Sequence, residues 1–253
     1  MIVHRLALVA AALLTAGLPA APVLAQAESP TAASPAPATP GSAPSAPAPA
    51  KPAPARPVAA DLLFEDPHFA HAAPGTPLIY RYNRMVSDPE LGPTFSDRIG
   101  LLVEASASGD AARDVKVDFF SAERHRAAGP FEGVSTNPVL MIFLENHVAD
   151  LAGRLKGNPR YFKNAIRAAL MDSTTVAAAE LTVDGRTYAG WRITARPFMN
   201  DANASRMRGL DALTYTFDLA PDLPGGIARV EIAAQAPGGR LWEESIAYDP
   251  KGI

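Results

Sequence analysis

The chain has 253 residues, 48% of them hydrophobic and 19% charged, with a formal net charge of −3 and no cysteine. Without cysteine there is no disulfide framework, thiolate metal site, cysteine nucleophile or lipidated N-terminal cysteine, so the fold depends on its core alone. Only Arg5, Lys51, Arg56 and Glu28 of the 23 basic and 26 acidic residues precede Ala59; the remainder is about −5 with interspersed signs, which argues against nucleic-acid binding.

Met1 to Arg5 is a short basic start, and Leu6 to Leu18 is an almost unbroken apolar run. Pro19 and Pro22 break that run just before Val23-Leu24-Ala25, whose small side chains suit a signal peptidase. The pattern predicts a signal peptide over residues 1–25, cut between Ala25 and Gln26, and a periplasmic or secreted product. An uncleaved anchor is the other reading, since the run approaches bilayer length. No second long apolar stretch follows, so no membrane span is expected after cleavage.

Gln26 to Val58 is almost wholly Ala, Pro, Ser and Thr, with ten prolines and no aromatic residue. Such a segment buries too little to offset the entropy of ordering, so it reads as a disordered linker of polyproline II character. Fully extended it would reach on the order of 100 Å. A passive tail is the expectation if the leader is cut, and a spacer if it is kept. The folded domain is then placed at residues 59–253.

Within that domain Leu78–Val86 alternates, with Leu78, Tyr80 and Tyr82 on one face and Ile79, Arg81, Asn83 and Met85 on the other. Asp97–Ala105 and Arg113–Phe120 alternate in the same way, and the three segments predict an antiparallel meander. Asn137-Pro138 and Asn158-Pro159 are two N-cap-plus-proline helix starts. The first opens a stripe of Leu140, Leu144, Val148, Leu151 and Leu155, and the second one of Phe162, Ile166, Ala169 and Leu170. Strands resume near Thr175, turn at Asp184-Gly185 and continue through Leu213–Leu219, Val230–Ala234 and Trp242–Tyr248, the last two separated by a turn at Pro237-Gly238-Gly239. The sum is α+β: a curved antiparallel sheet of about eight strands, half-barrel-like, with a helical pair inserted after the third strand and packed in its concavity.

Several local patterns also carry a resemblance: Phe64-Glu65-Asp66-Pro67-His68, Tyr80-Arg81-Tyr82 with Val86-Ser87-Asp88-Pro89, Phe95-Ser96-Asp97, and Asn137-Pro138-Val139-Leu140 with Phe143-Leu144. Through them the chain resembles, over most of the domain, an uncharacterised family of exported alphaproteobacterial proteins, a likeness that implies export and no particular activity. In architecture alone the order of strands, helices and strands is similar to periplasmic half-barrels that carry lipoproteins or lipids, and architecture does not establish function.

No catalytic motif is present: no GxSxG, HExxH, P-loop, GxGxxG or SxxK. No catalytic residue, metal or cofactor is therefore assigned. His68 and His71 with Asp66 have close metal-ligand spacing, but no third ligand is evident and they read as solvated loop histidines. Glu145, His147 and Asp150 share a helix, and Asp150 is spaced to hold His147. Tyr80, Tyr82, Trp191 and Tyr215 fall on alternating strands, which makes them candidates to line an apolar pocket, although strand aromatics ordinarily fill cores. Two function classes survive: a carrier or sensor of an apolar, lipid-like ligand, and an envelope interaction or scaffold module with no small ligand.

Overall fold

The strands of the domain follow directly from side-chain parity, and a computed structural model shows how they pair. It describes residues 57–110 and 112–252. The predicted signal peptide, the expected Ala25/Gln26 cleavage site and nearly all of the predicted linker lie outside the described residues. Every described residue belongs to one compact unit.

A short helix α1 (Ala59–Phe64) comes first and buries Ala59, Leu62 and Leu63. A meander of four strands follows: β1 (Pro77–Val86), β2 (Phe95–Ala105), β3 (Arg113–Phe119) and β4 (Arg126–Val134). Helices α2 (Pro138–Leu155) and α3 (Pro159–Asp172) then lead into a second meander. Its strands are β5 (Thr175–Val183), β6 (Arg186–Ala195), β7 (Thr214–Leu219), β8 (Ile227–Ala236) and β9 (Gly239–Tyr248). All nine strands form one open, curved antiparallel sheet in the order β4-β3-β2-β1-β9-β8-β7-β6-β5. The last strand pairs with the first, and this single ladder joins the two meanders. No helix among the described residues is long and apolar enough to cross a membrane.

The α+β class, the antiparallel pairing and the inserted helical pair match the expectation, with one adjustment. The sheet has nine strands rather than about eight, and the helices follow the fourth strand. The additional strand, β4, carries no alternating pattern, because as an edge strand it has no fully buried residue. Its pairing with β3 is interrupted twice, around Val115, and it contains Pro130. Both features blunt an edge against unwanted pairing.

One face of the sheet carries the core. Leu78, Tyr80, Tyr82 and Arg84 from β1 lie beside Ile99, Leu101 and Val103 from β2, and Trp242, Glu244 and Ile246 from β9. Helix α2 lays Leu140, Phe143, His147 and Leu151 on the core, and α3 contributes Phe162, Ile166, Ala169 and Leu170. Each of these large apolar side chains contributes about 1.5–3 kcal/mol by leaving water. The opposite face is mostly polar, with ion pairs such as Arg192–Asp218 at 2.7 Å, and one small apolar cluster around Leu181, Leu223 and Ala228.

Both helix starts cap as their sequences direct. Asn137 Oδ1 accepts from the Val139 amide at 3.1 Å, and Asn158 Oδ1 accepts from the Arg160 amide at 2.9 Å. Helix α2 ends with Lys156 in the left-handed region, followed by Gly157, where a Cβ would press on the Phe162 ring at 2.7 Å. The glycine thus lets α3 fold back closely on α2. At the β5–β6 hairpin Asp184 and Gly185 both have positive φ, 47° and 77°, as a type I′ turn requires.

Candidate functional site

Three features stand out around α2: a buried polar network beneath it and a cleft on either flank. The network is centred on His147, which is fully buried. Its Nδ1 lies 2.7 Å from Glu244 Oε2 on β9, and its Nε2 lies 2.9 Å from the Tyr215 hydroxyl on β7. Tyr82 donates to the other Glu244 oxygen at 2.7 Å. A neutral imidazole satisfies every partner: Nδ1–H donates to the carboxylate and Nε2 accepts from Tyr215. Burial and the Glu244 charge push the phenols of Tyr82 and Tyr215 far above their ordinary range, so both stay protonated donors.

The hydroxyl–imidazole–carboxylate order mimics a nucleophile, its base and the group that orients the base. No reactant can reach it, because His147, Glu244 and Tyr215 have no exposed surface. The network instead ties α2 to β1, β7 and β9 inside the core. Asp150 does not hold His147 as its spacing suggested. It pairs with Arg84 and Arg154, each at 2.7 Å, while Glu145 pairs with Lys163 of α3. Burial works to raise the Asp150 carboxyl, but the hydrogen bonds and charges of the two arginines hold it below the usual carboxylate range.

On one flank of α2 lies a cleft of about 320 Å³, bounded by Tyr82, Arg84, Phe95, Phe120, Arg124, Arg126, Asn146, Asp150 and Arg154. On the other flank, between α2 and α3 and lined in part by Phe64, lies an open apolar groove of about 360 Å³. Met141, Leu144, Val148, Ile166, Leu170 and Met171 line it, with Glu145, Lys163 and Arg167 beside them. Met141 and Met171 are 48% and 56% exposed, among the most exposed large hydrophobic residues described.

The four aromatics singled out on the strands do not line one pocket, although Tyr82 and Tyr215 meet through Glu244 and His147. Tyr80 and Tyr215 are core side chains, Tyr82 reaches the arginine-lined cleft, and half-buried Trp191 borders a smaller recess with Leu62, His68 and His71. Sequence reasoning missed the groove and the arginines. The methionines and α3 cations occupy the flank of each stripe, and only the packing angle of the two helices makes those flanks face each other.

The histidines near the start of the domain part ways. His71 is exposed and lies 3.7 Å from Asp222. His68 is not a solvated loop residue, as its neighbouring prolines suggested, but a buried bracket: Nε2 meets the Leu62 carbonyl at 2.8 Å and Nδ1 accepts from the Asn137 amide at 3.1 Å. Both nitrogens are therefore occupied, and no group of three or more metal-ligating side chains exists among the described residues. Burial pushes the His68 imidazole below its ordinary value, outweighing the Leu62 carbonyl and the charge of Asp66. Protonating Nδ1 would also break the bond from Asn137. The unfolded chain takes up this proton near pH 6.5 and the folded one only at lower pH, so the stability His68 confers is complete above about pH 6.5. It is lost as the pH falls from there through the folded value. Urea midpoints measured from about pH 8 down to about pH 5 should fall less steeply in His68→Gln than in the parent chain. Equal slopes would remove His68 as the source.

No protein-family model matches the chain, and no curated protein matches it either.

Proposed function

We propose that the domain is an exported, noncatalytic binding protein that takes the apolar chain of an amphiphile into the groove between α2 and α3. The observation that carries this reading is the groove itself: a concave, open, apolar surface of about 360 Å³ on the outside of the helix pair. Its volume falls in the lower part of the range of small-molecule sites, roughly 300–1,000 Å³. Two flexible, polarisable methionines at its mouth suit chains of varying shape. Lys163 is paired with Glu145, but Arg167 has no carboxylate partner among the described residues and is placed to meet an anionic headgroup. The occupant is thus a fatty-acid-like amphiphile rather than a neutral hydrocarbon.

Long-chain fatty acid should bind the mature protein saturably. Met141→Glu with Met171→Glu should weaken binding by about tenfold or more, equivalent to about 1.4 kcal/mol, with the thermal midpoint nearly unchanged. Both side chains are largely exposed, so the fold does not depend on them. Absence of saturable uptake would overturn the proposal. The second reading, a docking surface for another envelope protein, draws on the exposure of Met141 and Met171, since an exposed apolar patch also suits a protein partner.

A further inference from the structure

We infer that the cleft on the other flank of α2 is a binding site for a phosphoryl group. The inference stands apart from the groove, because the two are lined by different residues on different sides of the helix.

Arg84, Arg124, Arg126 and Arg154 line this cleft against a single acid, Asp150. That leaves three surplus positive charges in one recess of a domain whose balance is acidic. Neither Arg124 nor Arg126 has a carboxylate partner among the described residues. The Arg124 guanidinium lies 4.5 Å from the Phe95 ring centre and that of Arg126 lies 5.2 Å from the Phe119 ring centre. Arg126 also donates to the neutral Asn146 Oδ1 at 2.7 Å. Stacking and this bond fix the two planar groups without cancelling their charge.

The inner wall is built to the same end. Arg84 is only 5% exposed, and it binds Asp150 and, at 3.1 Å, the Leu91 carbonyl. Its Nε has no partner among the described residues. The guanidinium stacks on the Trp242 ring, 4.2 Å from its centre, which fixes its plane at the inner wall. Arg154 lies against Gly92, whose φ is 113° and where any Cβ would overlap the guanidinium. Glycine is therefore required for this arginine to lie where it does.

A carboxylate would neutralise one of the three surplus charges. A phosphoryl group carries close to two and offers three acceptor oxygens to planar, forked donors. A free phosphate or phosphorylated solute and the phosphomonoester headgroup of phosphatidic acid share this chemistry, and the test has an arm for each. Isothermal titration of the mature protein with inorganic phosphate should show saturable binding that weakens with added salt. Arg124→Ala with Arg126→Ala, both exposed, should weaken it at least about tenfold, while Met141→Glu with Met171→Glu should leave it unchanged. Acetate should not compete at matched concentration and ionic strength. If phosphate does not bind but phosphatidic acid vesicles recruit the protein through the same two arginines, the phosphoryl group belongs to a lipid. No binding in either arm, binding indifferent to the arginine substitutions, or equal competition by acetate would overturn the inference.

Discussion

Replacing His147 with alanine should destabilise the domain by about 3–5 kcal/mol, the combined cost of taking a donor from a buried carboxylate, an acceptor from a buried hydroxyl and a ring from the core. The imidazole is fully buried and donates to Glu244 while accepting from Tyr215. Its loss leaves the Glu244 carboxylate with Tyr82 as its remaining hydrogen-bond donor, strands the Tyr215 hydroxyl and opens a cavity under α2. In a domain of this size each kcal/mol moves the melting temperature by about 2–4 °C. Chemical denaturation of the alanine variant gives the value directly. Replacing the pair together, His147→Leu with Glu244→Met, should cost much less than the two single changes summed, because it removes both the charge and its requirement. A loss under about 1 kcal/mol for His147→Ala would mean that the network does not clamp α2 to the sheet.

Asn137→Ala should be the next most damaging polar change, at about 2–5 kcal/mol, and should clearly exceed Asn158→Ala at about 0.5–2 kcal/mol. From sequence the two residues look equivalent, each an asparagine before a proline that starts a helix. Asn158 is exposed and its side chain caps α3 alone. Asn137 is buried and does more. Its Nδ2 donates to the Tyr80 hydroxyl and to the Gly225 carbonyl, both at 2.9 Å, and its amide meets His68. Removing the side chain would unpair two buried groups beyond the cap. Gly225, at φ 82°, allows this close approach, since a Cβ there would lie 2.7 Å from the Tyr80 hydroxyl. Paired denaturation curves for the two alanine variants supply the comparison, and equal losses would contradict the account of Asn137 as a junction.

The contrast between these asparagines shows what was legible in the sequence. Local rules gave both caps, the α3 stripe and the faces of β1, because each depends on a period of a few residues. Edge strand β4 escaped, because a strand without a buried face has no such period. The short α1 escaped too, with only six residues to show a pattern. Arg84 and Glu244 each occupy a core-facing position in an alternating strand, which alone marks them as unusual. That they are partners across one ladder, directly opposite each other, depends on β9 returning to β1, a pairing set by strands more than 150 residues apart. The groove and the arginine-lined cleft are long-range in the same way: each is assembled from elements whose relative packing no short window specifies.

The claim that the groove between α2 and α3 receives an apolar chain is tested most directly by its own methionines. Methyl-labelled methionine places reporters at Met141 and Met171 in the groove, at Met85 and Met199 elsewhere on the surface, and at Met207 in the core. During titration with a long-chain fatty acid, the account predicts that the methyl resonances of Met141 and Met171 shift together and saturably while the other three stay in place. Methyl signals that do not move, or a response at Met207 without one at Met141 and Met171, would contradict it.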